Sequence, residues 1–437
     1  MSDNLQPQTN KEQRTVAIIG QGYVGLPLAL LFVKKGFHVL GIDLDHRKIE
    51  MLRKGKSYIT EIPDSDIQDA IASARYTPTD QFSFMEAAEA IVICVPTPLT
   101  SYGTPDLSYL TQAAAEIGGR LQKGQLVILE SSTYPGTTRE VLLPVLNKTG
   151  LQAGSDFFVA YSPERVDPGN EAFPVENIPK VVSGITPNCL ARVEELYGQL
   201  FIKVHPVSST DAAEMTKLLE NSYRLINISF INELAMICDV LQLNLWEIIE
   251  AANSKPFGFK AFYPGPGIGG HCIPVDPSYL LWKIKQFGLD SDFIQISNAV
   301  NHMMPLYITR QLKQHLEQKS LTGSRILVYG AAYKRDIADY RESASLELMH
   351  MLEIEGADVF YHDPYIPSLQ LGDNKYDSLE LTEENVKKMD CIVIATDHSS
   401  MPLAFILEHA LLIYDTRNVT KDMTGKARIV RLGGGIS

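Results

Sequence analysis

Basic charge, paired cysteines and long apolar runs are what this sequence has little of, and each shortage removes a class of protein. Lys and Arg number 39 against 52 Asp and Glu, a formal net charge of −13. A balance so acidic argues against a nucleic-acid partner, whose phosphates must be neutralised by lysine and arginine. Any phosphate on a small ligand must then find local cations. The five cysteines, at 94, 189, 238, 272 and 391, are odd in number, scattered, and never spaced Cys-x-x-Cys. Neither a disulfide framework nor a zinc site is indicated, so a reducing cytoplasm and no metal are expected. No apolar stretch reaches the ~20 residues of a membrane span, and Met1 to Arg14 is polar, without the apolar core of a secretory signal. Residues 1–14 are expected to be a disordered tail, and no membrane is expected as a partner.

The chain that carries these shortages has 437 residues, 45% hydrophobic and 21% charged. It is too long for one core, and two or three domains of an ordinary globular enzyme are expected. Val16–Ile19 is a short apolar run that feeds into Gly20-Gln-Gly22-Tyr23-Val24-Gly25 and then an apolar helical pattern over Leu26–Lys35. In that strand-turn-helix context the first glycine serves the tight turn and the second admits a pyrophosphate. The third lets helix and strand pack, with the helix N-terminus facing the phosphates. A second strand, His38–Ile42, ends at Asp43, where a carboxylate would bind a ribose 2′-hydroxyl and repel the extra phosphate of NADP. NAD is the expected cofactor. Arg47 reads as exposed helix surface, and Lys48 as a contact to the adenosine phosphate.

Two more apolar runs, Ala90–Val95 and Gln125–Glu130, end in Pro96-Thr97-Pro98 and Ser131-Ser132-Thr133. They read as buried parallel strands whose polar ends, Pro96, Thr97, Ser132 and Thr133, stand where a doubly wound sheet binds its ligand. Phe157–Tyr161 is a further strand, followed by Ser162-Pro-Glu164-Arg165-Val-Asp-Pro-Gly169-Asn170, an acid, a base and a glycine turn in one loop. From Ser209 to about Leu243 the apolar period is 3.6, opening with Asp211-x-x-Glu214 in the manner of a capping box. Roughly thirty residues without glycine or proline predict a domain-spanning helix that also packs on another subunit, hence a homodimer or larger assembly. Lys217 and Asn221 share a face of it. They are either solvated surface or a cation and an amide over a reacting oxygen.

The densest signal is Tyr263-Pro-Gly-Pro-Gly-Ile-Gly-Gly-His-Cys272-Ile-Pro-Val-Asp276. Glycines 265, 267, 269 and 270 let a backbone turn freely and approach a ligand closely. A thiol follows, and four residues later a carboxylate able to activate water. A lone cysteine is more often a small buried hydrophobe; the glycines ahead and the acid behind favour a ligand-cradling loop ending in a nucleophile. Thr322–Arg417 then repeats the N-terminal logic, with strands Arg325–Tyr329, Asp358–Tyr361, Cys391–Ala395 and Leu411–Tyr414, a glycine at 330, a helix near Ser345–Glu355, and Asp363. Without a full glycine fingerprint it suits a single nucleotide. Lys334, Arg335, Arg341 and, past the last strand, Arg417 are cations for a diphosphate. The expected fold is α/β, two Rossmann-like doubly wound domains joined by a long central helix. Expected boundaries are 15–207 for the NAD-binding domain, 208–318 for a central helical dimerisation domain with the cysteine loop, and 319–437 for a second Rossmann-like, nucleotide-binding domain.

In their order and spacing, Gly20-x-Gly-Tyr-Val-Gly25, Ser162-Pro-Glu-Arg165, Lys217-x-x-x-Asn221, Gly269-Gly-His-Cys272-x-x-x-Asp276, Tyr333-Lys334, Arg341-Glu-Ser343 and Arg417 resemble the UDP-sugar 6-dehydrogenase family over almost the whole chain. The resemblance implies NAD-dependent four-electron oxidation of a UDP-hexose at C6 to the uronic acid, for surface polysaccharide precursors, by an enzyme with a long dimerising helix. It implies Cys272 as the nucleophile of a thiohemiacetal and thioester, Asp276 as the acid near the hydrolytic water, and Lys217 and Asn221 around the oxyanion. Glu164 matches a catalytic-loop acid and Thr133 a residue that helps hold water. Tyr263 to Gly269, including Gly265 and Gly267, together with Lys334 and Arg417 match the substrate cradle, and Arg341 a cofactor contact.

Within the family, Arg165-Val166 and Val275 depart from the UDP-glucose enzymes. With Lys255-Pro-Phe-Gly-Phe259 and Phe262-Tyr-Pro-Gly-Pro266 they look like the UDP-N-acetylglucosamine branch; the UDP-N-acetylmannosamine branch shares Gly-Gly-His-Cys. The arginine that glucose enzymes insert from a neighbouring subunit is replaced near Pro256, with Lys260 as the cation of that segment. A two-electron hydroxyacid dehydrogenase would not need Cys272, and a non-catalytic nucleotide sensor would yield no NADH.

Overall fold

The computed structural model describes residues 14–435 apart from Thr60, residues 166–173, His271, residues 317–319 and Asp373. The expected tail, Arg14 excepted, lies outside the described residues, as do Val166 to Asn170 of the acid loop. The chain divides into two compact units: residues up to Glu220 with Ser278–Gly288, and Asn221–Pro277 with Leu289 onward.

The first unit is built on β1 (Thr15–Ile19), β2 (His38–Ile42), β3 (Tyr76–Thr79), β4 (Ala90–Ile93), β5 (Leu126–Leu129), β6 (Phe158–Tyr161), β7 (Lys180–Gly184) and β8 (Val204–Pro206). They lie in the order β3-β2-β1-β4-β5-β6-β7-β8, parallel throughout except between β6 and β7. Val16 and Ile18 of β1 pack with Leu26 and Phe32, whereas Ala17 and Ile19 pack with Leu110 and Ile117. Burial on both faces is why such strands read as unbroken apolar runs instead of alternation. The edge strand β3 carries Pro78, tolerated there because an edge leaves one side of the ladder unpaired. β4 stops at Ile93 and β5 at Leu129, so Val95 and Glu130, expected inside strands, lie just beyond the ladder.

The second unit holds β9 (Arg325–Tyr329), β10 (Asp358–His362), the hairpin strands β11 (Ser368–Leu371) and β12 (Asn374–Asp377), β13 (Cys391–Ile394), β14 (Leu412–Asp415) and β15 (Arg428–Arg431). Its five-stranded parallel sheet has the order β10-β9-β13-β14-β15. A parallel β15 pairs outside β14, so Arg417 follows the penultimate strand, not the last one as expected.

Three helical findings differ from the sequence reading. The long helix, Thr210–Leu241, is not opened by a capping box. Ser209 Oγ accepts from the Ala212 N–H at 3.1 Å, Asp211 pairs with Arg139 at 3.1 Å, and Glu214 turns into the first unit. The expected cysteine loop is helical from the thiol onward, as Cys272–Lys285 with Pro277 inside it; prolines at 274 and 277 disguised a helix whose first turn needs few of its own N–H donors. A third helix, Asp292–His315, went unread because Pro305 interrupts its pattern.

Candidate active site

The glycine turn after β1 shows which of its glycines packing demands. Gly20 has φ +92°, and a Cβ there would lie 2.5 Å from the Cys94 carbonyl oxygen. A Cβ on Gly25 would lie 1.8 Å from the Gly20 oxygen, yet one on Gly22 would meet nothing within 4 Å. The middle glycine therefore borders open space, beside the start of a helix whose N-cap, Val24, makes no side-chain capping bond. A pyrophosphate fits both features, because uncapped N–H groups at a helix start favour an anion. Asp43, at the end of β2, accepts from the Gln21 N–H at 2.8 Å and the Asp45 N–H at 2.9 Å. Lys48 Nζ stands 3.5 Å from it, and Arg47 is held by Asp45.

At the ends of β4 and β5, Thr97 Oγ1 donates to the Ser132 carbonyl at 2.7 Å, and Tyr279 donates to the Thr97 carbonyl, while Pro96 is exposed. Thr133 is fully buried, and its Oγ1 has no hydrogen-bond partner among the described residues. A buried hydroxyl left in that state suits a water or a ligand oxygen. Beyond β6, Lys217 Nζ donates to the Glu164 main-chain carbonyl, and Arg165 pairs with Glu220 at 2.6 Å and donates to the Pro179 carbonyl at 2.7 Å. Arg165 is thus committed to an acid of the long helix. A cleft lined by Tyr23, Val24, Glu164, Arg165 and Lys180 places this acid loop beside the glycine turn.

In the second unit, Asn221 Nδ2 donates to Asp276 Oδ2 at 2.5 Å, and Asp276 is fully buried. Cys272, exposed, opens the helix of which Asp276 forms the next turn, so thiol and carboxylate stand at i and i+4 on one face. The residues ahead of them are held closely. Added Cβ atoms on Gly269 and Gly270 would lie 2.6 and 2.7 Å from Tyr333, and one on Gly265 would lie 2.5 Å from Arg417 Nη1. Gly267, at φ +137°, needs glycine for its backbone alone. The Gly265 N–H donates to Asn232 Oδ1 at 2.9 Å, and Asn232 Nδ2 donates to Asn301 Oδ1 at 3.0 Å. Arg417 Nε donates to the Ala395 carbonyl at 2.8 Å, and burial pushes this guanidinium below its ordinary pKa.

Tyr263 stacks on Trp246 with ring centroids 5.9 Å apart. Lys334 follows β9, half-buried. Arg341 is engaged by Asp339 at 2.7 Å, and its carbonyl accepts from the Gly270 N–H at 3.2 Å. Lys260 lies over Phe262 at 6.0 Å; Lys255, over Phe257 at 4.9 Å, is a second cation of that segment that the sequence reading passed over. Asn232, buried, and Asn301, half-buried, were also missed, and their only signal was a polar residue within a long helix.

The second sheet treats its own acid differently from the first. Asp363, at the end of β10, accepts on Oδ2 from the Ala331 and Ala332 N–H groups at 2.8 and 2.9 Å. His398 Nδ1 accepts from the Asp336 N–H, leaving Nε2 to donate to the same oxygen at 3.1 Å. Burial pushes Asp363 up, but the bonds from His398 and Ala332 outweigh it and hold the carboxyl below its usual range. The amides after β9 that would greet a phosphate are already bonded to a carboxylate of the chain.

Two Rossmann-like sheets, one whose glycine turn gives one amide to Asp43 and leaves Gly22 open and one whose turn gives two amides to Asp363, together with an exposed thiol at a helix start, define a nucleotide-dependent oxidoreductase. The family models match in the same order: the NAD binding, central and UDP binding domains of the UDP-glucose/GDP-mannose dehydrogenase family, over residues 14–201, 211–303 and 327–422. The chain belongs to that family and is an NAD-dependent UDP-sugar dehydrogenase. It is 34% identical over 423 residues to a UDP-N-acetyl-D-mannosamine dehydrogenase of Pyrococcus horikoshii, covering 93% of this chain and 96% of that one. To a UDP-N-acetyl-D-glucosamine 6-dehydrogenase of Pseudomonas aeruginosa it is 34% identical over 388 residues, 88% of this chain and 90% of that one. A solved structure of a UDP-D-ManNAc dehydrogenase from Pyrococcus horikoshii superposes with TM-score 0.88 at 32% identity, covering 96% of this chain and 99% of that one. Among the described residues no helix is long and apolar enough to cross a membrane, and no cluster of potential metal ligands is found.

Proposed function

We propose that the enzyme oxidises C6 of a UDP-N-acetylhexosamine, with UDP-N-acetylglucosamine preferred, to the uronic acid through a covalent adduct on Cys272. The observation that carries this reading is the exposed thiol at the start of the helix Cys272–Lys285, followed one turn later by the buried Asp276 that Asn221 holds at 2.5 Å. NAD, when bound against the open glycine turn, supplies a hydride acceptor for each of two oxidations. The alcohol must first become an aldehyde, and an unhydrated aldehyde has no hydride to give. Addition of the Cys272 thiol across its C=O bond, with the thiol proton ending on the oxygen, makes a thiohemiacetal, which has one, and loss of that hydride together with the hydroxyl proton leaves a thioester. Asp276 then takes a proton from the water that attacks the thioester, and the sulfur leaves as thiolate. Asn221 and Lys217 are assigned to the oxygen that carries negative charge in both tetrahedral states, and Thr133, with its unpartnered hydroxyl, to a water. Arg417, Lys334, Tyr263, Gly265, Gly267, Lys260 and Arg165 are assigned to the UDP-sugar, Arg341 to the cofactor.

Wild type is expected to release two NADH per UDP-sugar, and Cys272→Ala to abolish uronic acid formation. One NADH per sugar, or acid from the alanine variant at near wild-type rate, would return Cys272 to a packing role. Preference for UDP-N-acetylglucosamine rests on Arg165, Val275 and the segment from Pro256 to Pro266; the Pyrococcus horikoshii relative favours UDP-N-acetylmannosamine as the second reading. Comparison of kcat/KM for the two N-acetylhexosamine donors and UDP-glucose ranks the three, and a lead for UDP-glucose would refute the subgroup while leaving the chemistry.

A further inference from the structure

Behind Glu164 lies a charge cluster that none of these roles uses. Lys180 opens β7, Glu130 follows β5, and Tyr197 closes the helix Pro187–Tyr197. Lys180 Nζ is 2.9 Å from Glu130 Oε2 and 3.8 Å from Glu164 Oε2. Tyr197 donates to Glu130 Oε1, and the ammonium lies over the rings of Tyr197 and Phe201 at 5.6 and 5.3 Å. Glu130 and Lys180 are shut off from solvent, whereas the Glu164 side chain keeps 14% of its surface exposed. An ammonium in such surroundings persists only when paired. Burial drives Lys180 down, but Glu130 and Glu164 outweigh it and keep the lysine charged. Glu130 is itself pushed up by burial. One cation therefore serves two carboxylates, the inner one near and the outer one farther off.

Among the described residues, four other polar groups lie around the cluster. The Cys94 thiol and the Tyr197 hydroxyl are pushed well up by burial and stay neutral. Arg165 is committed to Glu220 and the Pro179 carbonyl, and Lys217 to the Glu164 carbonyl.

We propose that Lys180 is a positioning residue whose ammonium fixes the place of the Glu164 carboxylate, with Glu130 competing for the same cation. The proposal rests on the reading of Glu164 as part of the reaction. Lys217 holds the main-chain end of the residue and Lys180 the carboxylate end. Packing alone would not care about the sign of each partner, whereas competition for one cation makes the two neighbours act in opposite directions.

The test follows the protonated-carboxyl infrared band that vanishes in Glu164→Gln, titrated against pH in the full-length enzyme, beside the acid limb of kcat. Removing Lys180 alone would strand Glu130, so the series starts from Glu130→Gln, which keeps shape and folding. That variant is expected to move the band to lower pH, and Lys180→Met added to it to move the band back up. A band that stays put in both variants, or moves the same way in both, overturns the proposal. A band that moves as expected while the acid limb of kcat does not follow supports the Lys180 contact and removes Glu164 from the chemistry.

Discussion

Asp43 is expected to decide between two cofactors by charge. Its carboxylate already accepts two N–H bonds at the end of β2, so it is fixed where a ribose diol would meet it and where the extra phosphate of NADP would be repelled. NAD is expected to exceed NADP in kcat/KM by at least tenfold, about 1.4 kcal/mol, and Asp43→Asn to narrow that gap; equal use of the two cofactors by wild type would refute the assignment. Residues of this kind were legible because what marks them is local: Gly20, Gly25 and Asp43 lie within one strand-turn-helix-strand unit, and Cys272 and Asp276 lie four positions apart at one helix start. Lys180, Glu130 and Asn232 were not. Each acts through a partner more than thirty positions away, and a lysine opening a strand or an asparagine in a long helix has nothing in its neighbours to mark it.

Among the elements, the long helix is anchored by one carboxylate. Glu214 is fully buried and accepts from the Gly136 N–H, the Thr138 N–H and Thr138 Oγ1 at 2.6, 2.8 and 2.7 Å. Burial pushes it up to about 7 in spite of those bonds. The folded value lies above the unfolded one, so the stability it confers is fully present below about pH 4.5 and is lost as pH rises through 7. Relative to Glu214→Gln, wild type should lose up to about 3 kcal/mol between pH 4.5 and 8. Urea unfolding of both proteins at the two pH values reads this, and a difference that does not change with pH would refute it. In the sequence this glutamate passed for half of a capping box, because spacing shows which residues can meet across one turn but not which prefer a distant loop. Prolines misled in the same way at 274, 277 and 305, where helices accommodate them at an opening turn or by yielding a single bond. Of the thirteen strands in the two sheets, nine were readable as apolar runs, whereas β3, β7, β8 and β15 were not, being short and broken by proline, lysine, histidine or arginine.

For the whole molecule, the long helix carries more apolar surface than its own chain covers. Leu218, Leu225, Ile231 and Ala235 are buried, yet Leu219, Phe230 and Val240 are 60%, 55% and 79% exposed. Side chains of that size in water along one helix indicate a partner, and a symmetric copy is the simplest one. Light scattering at micromolar concentration is expected to report a dimer or larger, and a stable, active monomer would refute it. Asp363 has a consequence of another kind. An anion seeking the amides after β9 contends not with water but with a rival tethered to the same chain, whose local concentration no metabolite can match. Under the proposed chemistry, with one glycine turn left open among the described residues, the two oxidations would draw on one NAD site in turn, one NADH leaving before the second NAD arrives. The sulfur of Cys272, in that scheme, would keep the half-finished sugar from escaping during the exchange.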